Sequence, residues 1–241
     1  VAAGFEKEGM KIGGFRAYTT SDVMKGSGLS SSAAFEVLVG TILSHLYNGG
    51  QVSAVKIAQI SQFAENVYFG KPSGLMDQMA SSVGGFIAID FKDTSSPIIE
   101  SVPADFEKFG HALCIVDAKG DHADLTAEYA AIPQEMKAVA GYFTCDTLRQ
   151  LSKDDIMLNI RVLREQFGDR AVLRSIHFFD ENERVDKLVH ALKAGNFDDF
   201  LSSVKESGDS SYKYLQNIYA ASDIKHQCLS IALNVAEYSL H

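Results

Sequence analysis

Two stretches near the start of the chain carry apolar residues at helical spacing, one from Ser31 to about Tyr47 and one from Ser53 to Phe69. They predict consecutive amphipathic helices. Around them lie short β-type runs bounded by Gly, Asp, Ser and Pro: Gly14 to Thr20 before the first helix, then Gly84 to Asp90, Ile98 to Val102 and Ala112 to Asp117. From Asp124 onward the pattern is helical. Periodic apolar positions run through Asp124 to Tyr142, Asp154 to Gln166, Arg170 to Ala194, Asn196 to Ser207 and Ile224 to Ser239, with Gly168 and Gly195 as stops. This order predicts an α+β protein with a mixed first lobe and a helix-rich second lobe. A polar turn, Lys119-Gly120-Asp121-His122, follows the last strand and marks the seam, giving lobes of residues 1–117 and 118–241.

The loop ahead of the first long helix is the most informative local feature. Lys25-Gly26-Ser27-Gly28-Leu29-Ser30-Ser31-Ser32 is small and hydroxylated, and it opens directly into Ala33-Ala34-Phe35-Glu36-Val37. Glycine takes positive φ at little cost and lets an anion approach the backbone, while a helix N-terminus offers unpaired N–H groups and partial positive charge. The loop therefore reads as a phosphate cradle, with serine hydroxyls as further donors and a potential Mg²⁺ ligand. A plain serine cap after a flexible turn is the competing reading. Two other phosphate signatures are excluded. Gly4 and Gly9 have P-loop spacing, but Met10 and Lys11 stand where Lys and then Ser or Thr are required. Gly26 and Gly28 begin a dinucleotide fingerprint, but Ser31 occupies the place of its third glycine.

A second segment brings two acids close in sequence. Glu65 falls late in the second helix, the turn Gly70-Lys71-Pro72-Ser73-Gly74 breaks the pattern, and Asp77 follows just inside the next helical run. One acid can hold Mg²⁺ through oxygen while the other orients or deprotonates an alcohol, a division of labour that phosphoryl transfer requires. The structural alternative is a solvated Glu65 and an Asp77 that merely complements a helix dipole.

Together, Gly28-Leu29-Ser30-Ser31-Ser32-Ala33-Ala34, Ala64-Glu65 and Lys71-Pro72-Ser73-Gly74-Leu75-Met76-Asp77-Gln78 resemble the galactokinases, a branch of the GHMP class of small-molecule kinases. The likeness continues through His122 to Tyr129, the helix from Arg174 to Arg184 with His177, Glu181 and Asn182, and Glu206-Ser207. It implies a two-lobed fold: a ribosomal S5-like α/β lobe and a ferredoxin-like lobe elaborated with helices. It implies ATP and Mg²⁺ as cofactors and phosphorylation of the anomeric hydroxyl of galactose or a related sugar. Residues 25–32 would cradle the phosphates, Ser32 and Glu65 would hold Mg²⁺, Asp77 would act on the sugar hydroxyl, and Tyr129 would touch the sugar. Without the resemblance Tyr129 reads as a core aromatic. The i,i+4 pair His177 and Glu181 lacks a second histidine and reads as structural.

The chain departs from the galactokinase pattern in three places. No Gly-Glu-His-Thr-Asp-like motif precedes Gly14, no glycine-rich motif precedes the end at His241, and Asp121 stands before His122 where the family places a basic residue. With Val1 at its start, the chain is expected to be a piece truncated at both ends. These departures keep other readings open: a kinase for another small alcohol or sugar derivative, or a catalytically weak module that senses sugar and ATP. Met76 gives the turn its galactokinase length, one residue longer than the mevalonate-type turn.

Composition narrows the partners. A formal net charge of −9, with 22 basic against 31 acidic residues, argues against nucleic acid or an anionic membrane as partner. Phosphate contacts must then come from backbone and metal. Cys114, Cys145 and Cys228 are odd in number, widely spaced and without a CxxC, which predicts a reducing cytoplasm and no structural zinc. No apolar run is long enough to span a bilayer.

Overall fold

A computed structural model describes the chain except residues 24–27, 72, 119–125, 221–222 and 240–241. Lys25, Gly26, Ser27, Asp121, His122 and Asp124 therefore lie outside the described residues. The chain divides into two compact units, Val1–Pro103 and Ala104–His241.

In the first unit the order is α1 (Ala2–Lys7), α2 (Ser31–Tyr47), α3 (Ala54–Tyr68), α4 (Met76–Val83), β1 (Ile87–Asp90) and β2 (Ile98–Ser101). α2 buries Ala33, Glu36, Val37, Gly40, Leu43 and Ser44, the three-four spacing of one helix face. This face meets α3 in a core of Phe5, Val37, Leu43, Ile57 and Ile60. Gly40 has a packing reason to be glycine, since a Cβ there would lie 2.8 Å from Ile57 Cγ2. Ser53 caps α3 by accepting from the Lys56 N–H at 3.2 Å. β1 and β2 pair antiparallel in the register Ile87–Ser101, Ala88–Glu100, Ile89–Ile99 and Asp90–Ile98. Their apolar residues pack with Ala58, Leu75 and Met79, which seats α4 between the ribbon and the helix pair.

Two expected strands do not form among the described residues. Residues 11–20 have no regular secondary structure and are exposed, and side chains tie them down: Asn48 bonds both the N–H and the C=O of Lys11, at 3.0 and 2.9 Å, and the Tyr47 hydroxyl donates to the Gly14 carbonyl at 2.5 Å. Residues 112–117 likewise lack regular secondary structure and are exposed. Alternation makes a run fit for a strand, but a strand exists only where a ladder partner meets it.

The second unit holds α5 (Thr126–Tyr142), α6 (Lys153–Leu158), α7 (Ile160–Phe167), α8 (Asp169–Ala194), α9 (Phe197–Ser210), a π turn (Ser211–Leu215) and α10 (Cys228–Ser239). The seam falls earlier than the polar turn read from the sequence. Phe106 and Phe109 on a short 3₁₀ turn, together with His111, pack their rings on Phe197, which places this segment in the second unit. The single helix expected over 154–166 breaks at Asn159, whose side chain donates to the Asp155 carbonyl at 2.9 Å in competition with the helix ladder.

Val139, Ala140, Leu148, Ile156, Leu163, Ala171 and Val172 form the core of this unit. Leu163→Ala should destabilise it by about 3 kcal/mol through lost transfer energy and a residual cavity. Denaturant unfolding checks this, and a loss below about 1 kcal/mol would show that the site collapses around the smaller residue. Arg174, fully buried, is matched by the Glu135 carboxylate at 2.9 Å and the Leu215 carbonyl at 3.0 Å. His177 Nδ1 pairs with Ser210 Oγ at 2.8 Å, and burial pushes its pKa down. Glu181 accepts from Ser207 Oγ at 2.5 Å and from Arg184. Both members of the i,i+4 pair thus have helix-tying partners.

Candidate active site

The described part of the Gly/Ser loop begins at Gly28, whose φ of +74° is the left-handed region that glycine favours. Ser30 follows at φ 57°, ψ 38° and is the residue before α2, yet its side chain does not cap the helix. Its hydroxyl donates to Asp77 Oδ2 at 2.7 Å. A serine in the capping position is thus recruited by an acid 47 residues away. Ser31 opens α2 and Leu29 is exposed beside it.

Ser32, the second residue of α2, reaches the second acid. Its hydroxyl donates to Glu65 Oε1 at 3.0 Å. Each acid read from the sequence is therefore bonded to its own serine of the loop. Close packing of α2, α3 and α4 against one another makes this convergence possible, with Glu65 near the end of α3 and Asp77 in the first turn of α4.

Glu65 is only 4% exposed, unlike the solvated helix residue that was its alternative reading. Lys71 Nζ sits on Oε1 at 2.8 Å and Gln78 Nε2 donates to Oε2 at 2.7 Å. Burial by itself raises the Glu65 pKa, but hydrogen bonds from Lys71, Ser73 and Ser32 outweigh it and hold the carboxyl below its ordinary value. The group is kept as an anion inside the protein. Lys71 is pushed up in turn, first by its bond to Glu65, with the Glu65 and Asp77 charges adding to the effect. The turn that carries Lys71 is pinned by Asn66, whose Oδ1 accepts from the Ser73 N–H at 2.8 Å and the Ser73 hydroxyl at 3.0 Å.

Behind Glu65 lies a third acid that the sequence reading did not assign. Glu36 is buried on the inner face of α2, and Gln78 Nε2 stands 3.5 Å from its Oε2. Burial first, and repulsion from Glu65 second, raise its pKa. Its folded-state value thus exceeds the ordinary glutamate value of about 4.3, so stability is fullest below that pH and declines as pH rises through the folded value. Gln78 Oε1 is buried without a partner among the described residues. Glu36→Gln removes the buried charge and offers a donor to that oxygen. Its melting temperature near neutral pH should exceed that of the wild type by a few degrees, the gap closing in acid; a variant less stable at neutral pH contradicts this account.

Lys71, Gln78 and Glu36 are the participants that sequence reasoning missed. The signal for Glu36 was a lone acid on the otherwise small and apolar face of α2; Lys71 and Gln78 lay within the Lys71-to-Gln78 motif itself. Tyr129, by contrast, belongs to the second unit, on α5, and is 62% exposed instead of being buried as a core aromatic.

The donor set suits Mg²⁺. Hydroxyl and carboxylate are hard oxygen donors, the carboxylate is held ionised, and a cation already rests on it. Adjacent ligands of an octahedral ion with bonds of about 2.1 Å lie about 3.0 Å apart. Ser32 Oγ and Glu65 Oε1 are separated by 3.0 Å.

Residues 1–85 match the model of the GHMP kinases N terminal domain. The chain is also 32% identical to a galactokinase of Thermotoga petrophila over 222 residues, which cover 92% of this chain and 59% of that one. Residues 1–85 therefore carry a GHMP kinase N-terminal domain. Other relatives include a galactokinase of Streptomyces coelicolor, 32% identical over 193 residues, 78% of this chain and 48% of the relative. A galactokinase of Glaesserella parasuis is 35% identical over 191 residues, 79% of this chain and 48% of the relative. Among solved structures, galactokinase of Lactococcus lactis complexed with galactose superposes with a TM-score of 0.66 at 24% identity, covering 88% of this chain and 55% of that one. The fold is therefore the GHMP kinase fold, here a mixed helical arrangement with a small antiparallel sheet. The chain spans between about half and three fifths of the length of the curated relatives it matches.

Proposed function

We propose that this chain serves Mg²⁺-assisted transfer of the ATP γ-phosphoryl group to the anomeric hydroxyl of galactose or a close relative. The observation that carries the reading is the pairing of each acid with one loop serine, Ser30 with Asp77 and Ser32 with Glu65. Loop backbone from Gly28 to Ser32, preceded by Lys25, Gly26 and Ser27, binds the phosphates, with the N-terminus of α2 behind it. Ser32 and Glu65 hold the metal, which when bound neutralises charge on the nucleotide phosphates. Asp77 takes or orients the proton of the sugar hydroxyl, and the Ser30 hydroxyl fixes that carboxylate through Oδ2. Little covalent work is asked of the protein, so positioning dominates. By resemblance, Tyr129 contacts the sugar.

The named galactokinase relatives and the galactose-bound structural neighbour support a sugar over other small alcohols. Among the described residues no helix is long and apolar enough to cross a membrane, and the free thiols of Cys114, Cys145 and Cys228 fit a cytoplasmic setting. An assay of ADP formation across a panel of sugars, with and without Mg²⁺, tests the reading. Galactose-dependent, Mg²⁺-dependent ADP is expected; release that is indifferent to galactose overturns the substrate, and release indifferent to Mg²⁺ overturns the metal.

A further inference from the structure

We propose that Lys71 is the built-in counter-cation of the metal site: its ammonium occupies Glu65 while no divalent ion is present and is displaced when Mg²⁺ enters. This rests on the assignment of Ser32 and Glu65 as metal ligands made above.

Glu65 sets the need for such a residue. A carboxylate that is 4% exposed and ionised requires a positive partner, which is the metal when one is bound and another cation when none is. Lys71 meets that need at 2.8 Å. It does so at Oε1, the same oxygen that accepts the Ser32 hydroxyl at 3.0 Å, so both lone pairs of that oxygen are engaged. Oε2 is committed to Gln78 at 2.7 Å. A divalent ion approaching from the Ser32 side thus meets an oxygen already held by a cation, and two cations sharing one oxygen repel strongly. One must leave.

Lys71 is built to be the one that moves. Its side chain is 62% exposed, so the ammonium leaves the carboxylate for water at small desolvation cost. Its backbone does not move with it. The Lys71 N–H is bonded to the Glu65 carbonyl at 3.3 Å, its own carbonyl accepts from Ser73 at 2.8 Å, and Asn66 holds Ser73 in place. A four-carbon stem on a fixed pivot keeps the displaced ammonium within the charge fields of Asp77 and of bound phosphates. Gln78 stays behind on Oε2 and keeps the carboxylate from rotating. Loading the site is thereby an exchange of cations, in which the apparent metal affinity includes the work of breaking the Lys71–Glu65 pair.

Mn²⁺, followed by electron paramagnetic resonance without nucleotide or sugar, reports on this exchange apart from turnover. Lys71→Met and Lys71→Gln should bind Mn²⁺ roughly tenfold more tightly than the wild type, because a charge-assisted hydrogen bond no longer has to be broken. Lys71→Arg, which keeps the charge, should stay within about twofold of the wild type. Wild-type or weaker Mn²⁺ affinity in the two neutral variants, with melting curves showing them folded, overturns the proposal. So does tightening in Lys71→Arg equal to that in Lys71→Met. Glu65→Gln separates the two readings: if it binds Mn²⁺ as well as the wild type, the metal assignment falls and this inference with it. If it loses Mn²⁺ while the Lys71 variants show no tightening, only the exchange falls. Tightening in the Lys71 variants without galactose-dependent ADP supports the exchange and removes the sugar kinase reading instead.

Discussion

Asp77→Asn should lower kcat by roughly 10³-fold while nucleotide affinity stays within about twofold, since general-base contributions run from about 10² to 10⁴. Asparagine has the shape of aspartate and keeps one oxygen able to accept the Ser30 hydroxyl, so the 2.7 Å contact that fixes the side chain can survive. What it loses is the negative charge and the capacity to take a proton from the sugar hydroxyl. Calorimetric titration with ATP separates binding from transfer in the same preparation. An Asp77→Asn chain with unchanged kcat would show that positioning by other groups suffices and that Asp77 takes no proton. A parallel loss of nucleotide affinity would show that the substitution disturbed the Gly/Ser loop through Ser30, a different failure with a different remedy.

The four side chains that form the two serine–acid pairs all lie in the two motifs read from the chain, and the structure brings them together. Their individual environments were not legible. A helix period says that Glu65 is near the end of a helix, but its burial depends on how α4 returns across α3 after the seven-residue connection 69–75. Glu36 shows the same limit more sharply. Its position one turn from Ser32 in an apolar run reads equally well as a solvated break in the helix face, and only the Gln78 amide opposite shows that it is a buried partner. At the level of elements, long periodic helices such as α2, α3 and α8 were read nearly to the residue, since their caps and stops are local. The runs at 14–20 and 112–117 have strand-like alternation but form no strand, because a strand is defined by a neighbour that local alternation cannot name. α1 went unread for the opposite reason: at six residues it is too short for a period, and it is held by Phe5 in the core instead of by its own propensity.

Glu65→Gln tests the other half of the site and should have an effect of similar size. The amide matches the carboxylate in shape but coordinates a hard cation weakly, so the Mg²⁺ concentration for half-maximal turnover should rise by roughly 100-fold. Metal titrations of the activity measure this, and an unchanged Mg²⁺ requirement would remove Glu65 from the ligand set. The same substitution makes a second, independent statement about stability. In the folded chain the Glu65 pKa lies below its ordinary value, so the stabilisation from its ionised form is present above about pH 4.3 and is lost as pH falls through the depressed folded value. Replacing the carboxylate also leaves Lys71 and the Gln78 amide facing an NH₂ group or an uncharged oxygen. The melting temperature of Glu65→Gln should therefore fall well below that of the wild type at neutral pH, and the gap should narrow in acid. Glu36→Gln predicts the reverse sign at neutral pH, because burial opposes the charge there and no cation sits on it among the described residues. Melting curves of both variants from about pH 3 to about pH 7 decide between a site held by an ionised Glu65 and one in which the two buried acids are interchangeable. If the two variants shift stability in the same direction at neutral pH, the unequal division of charge between Glu65 and Glu36 is wrong, and with it the reason for a metal to enter on the Ser32 side.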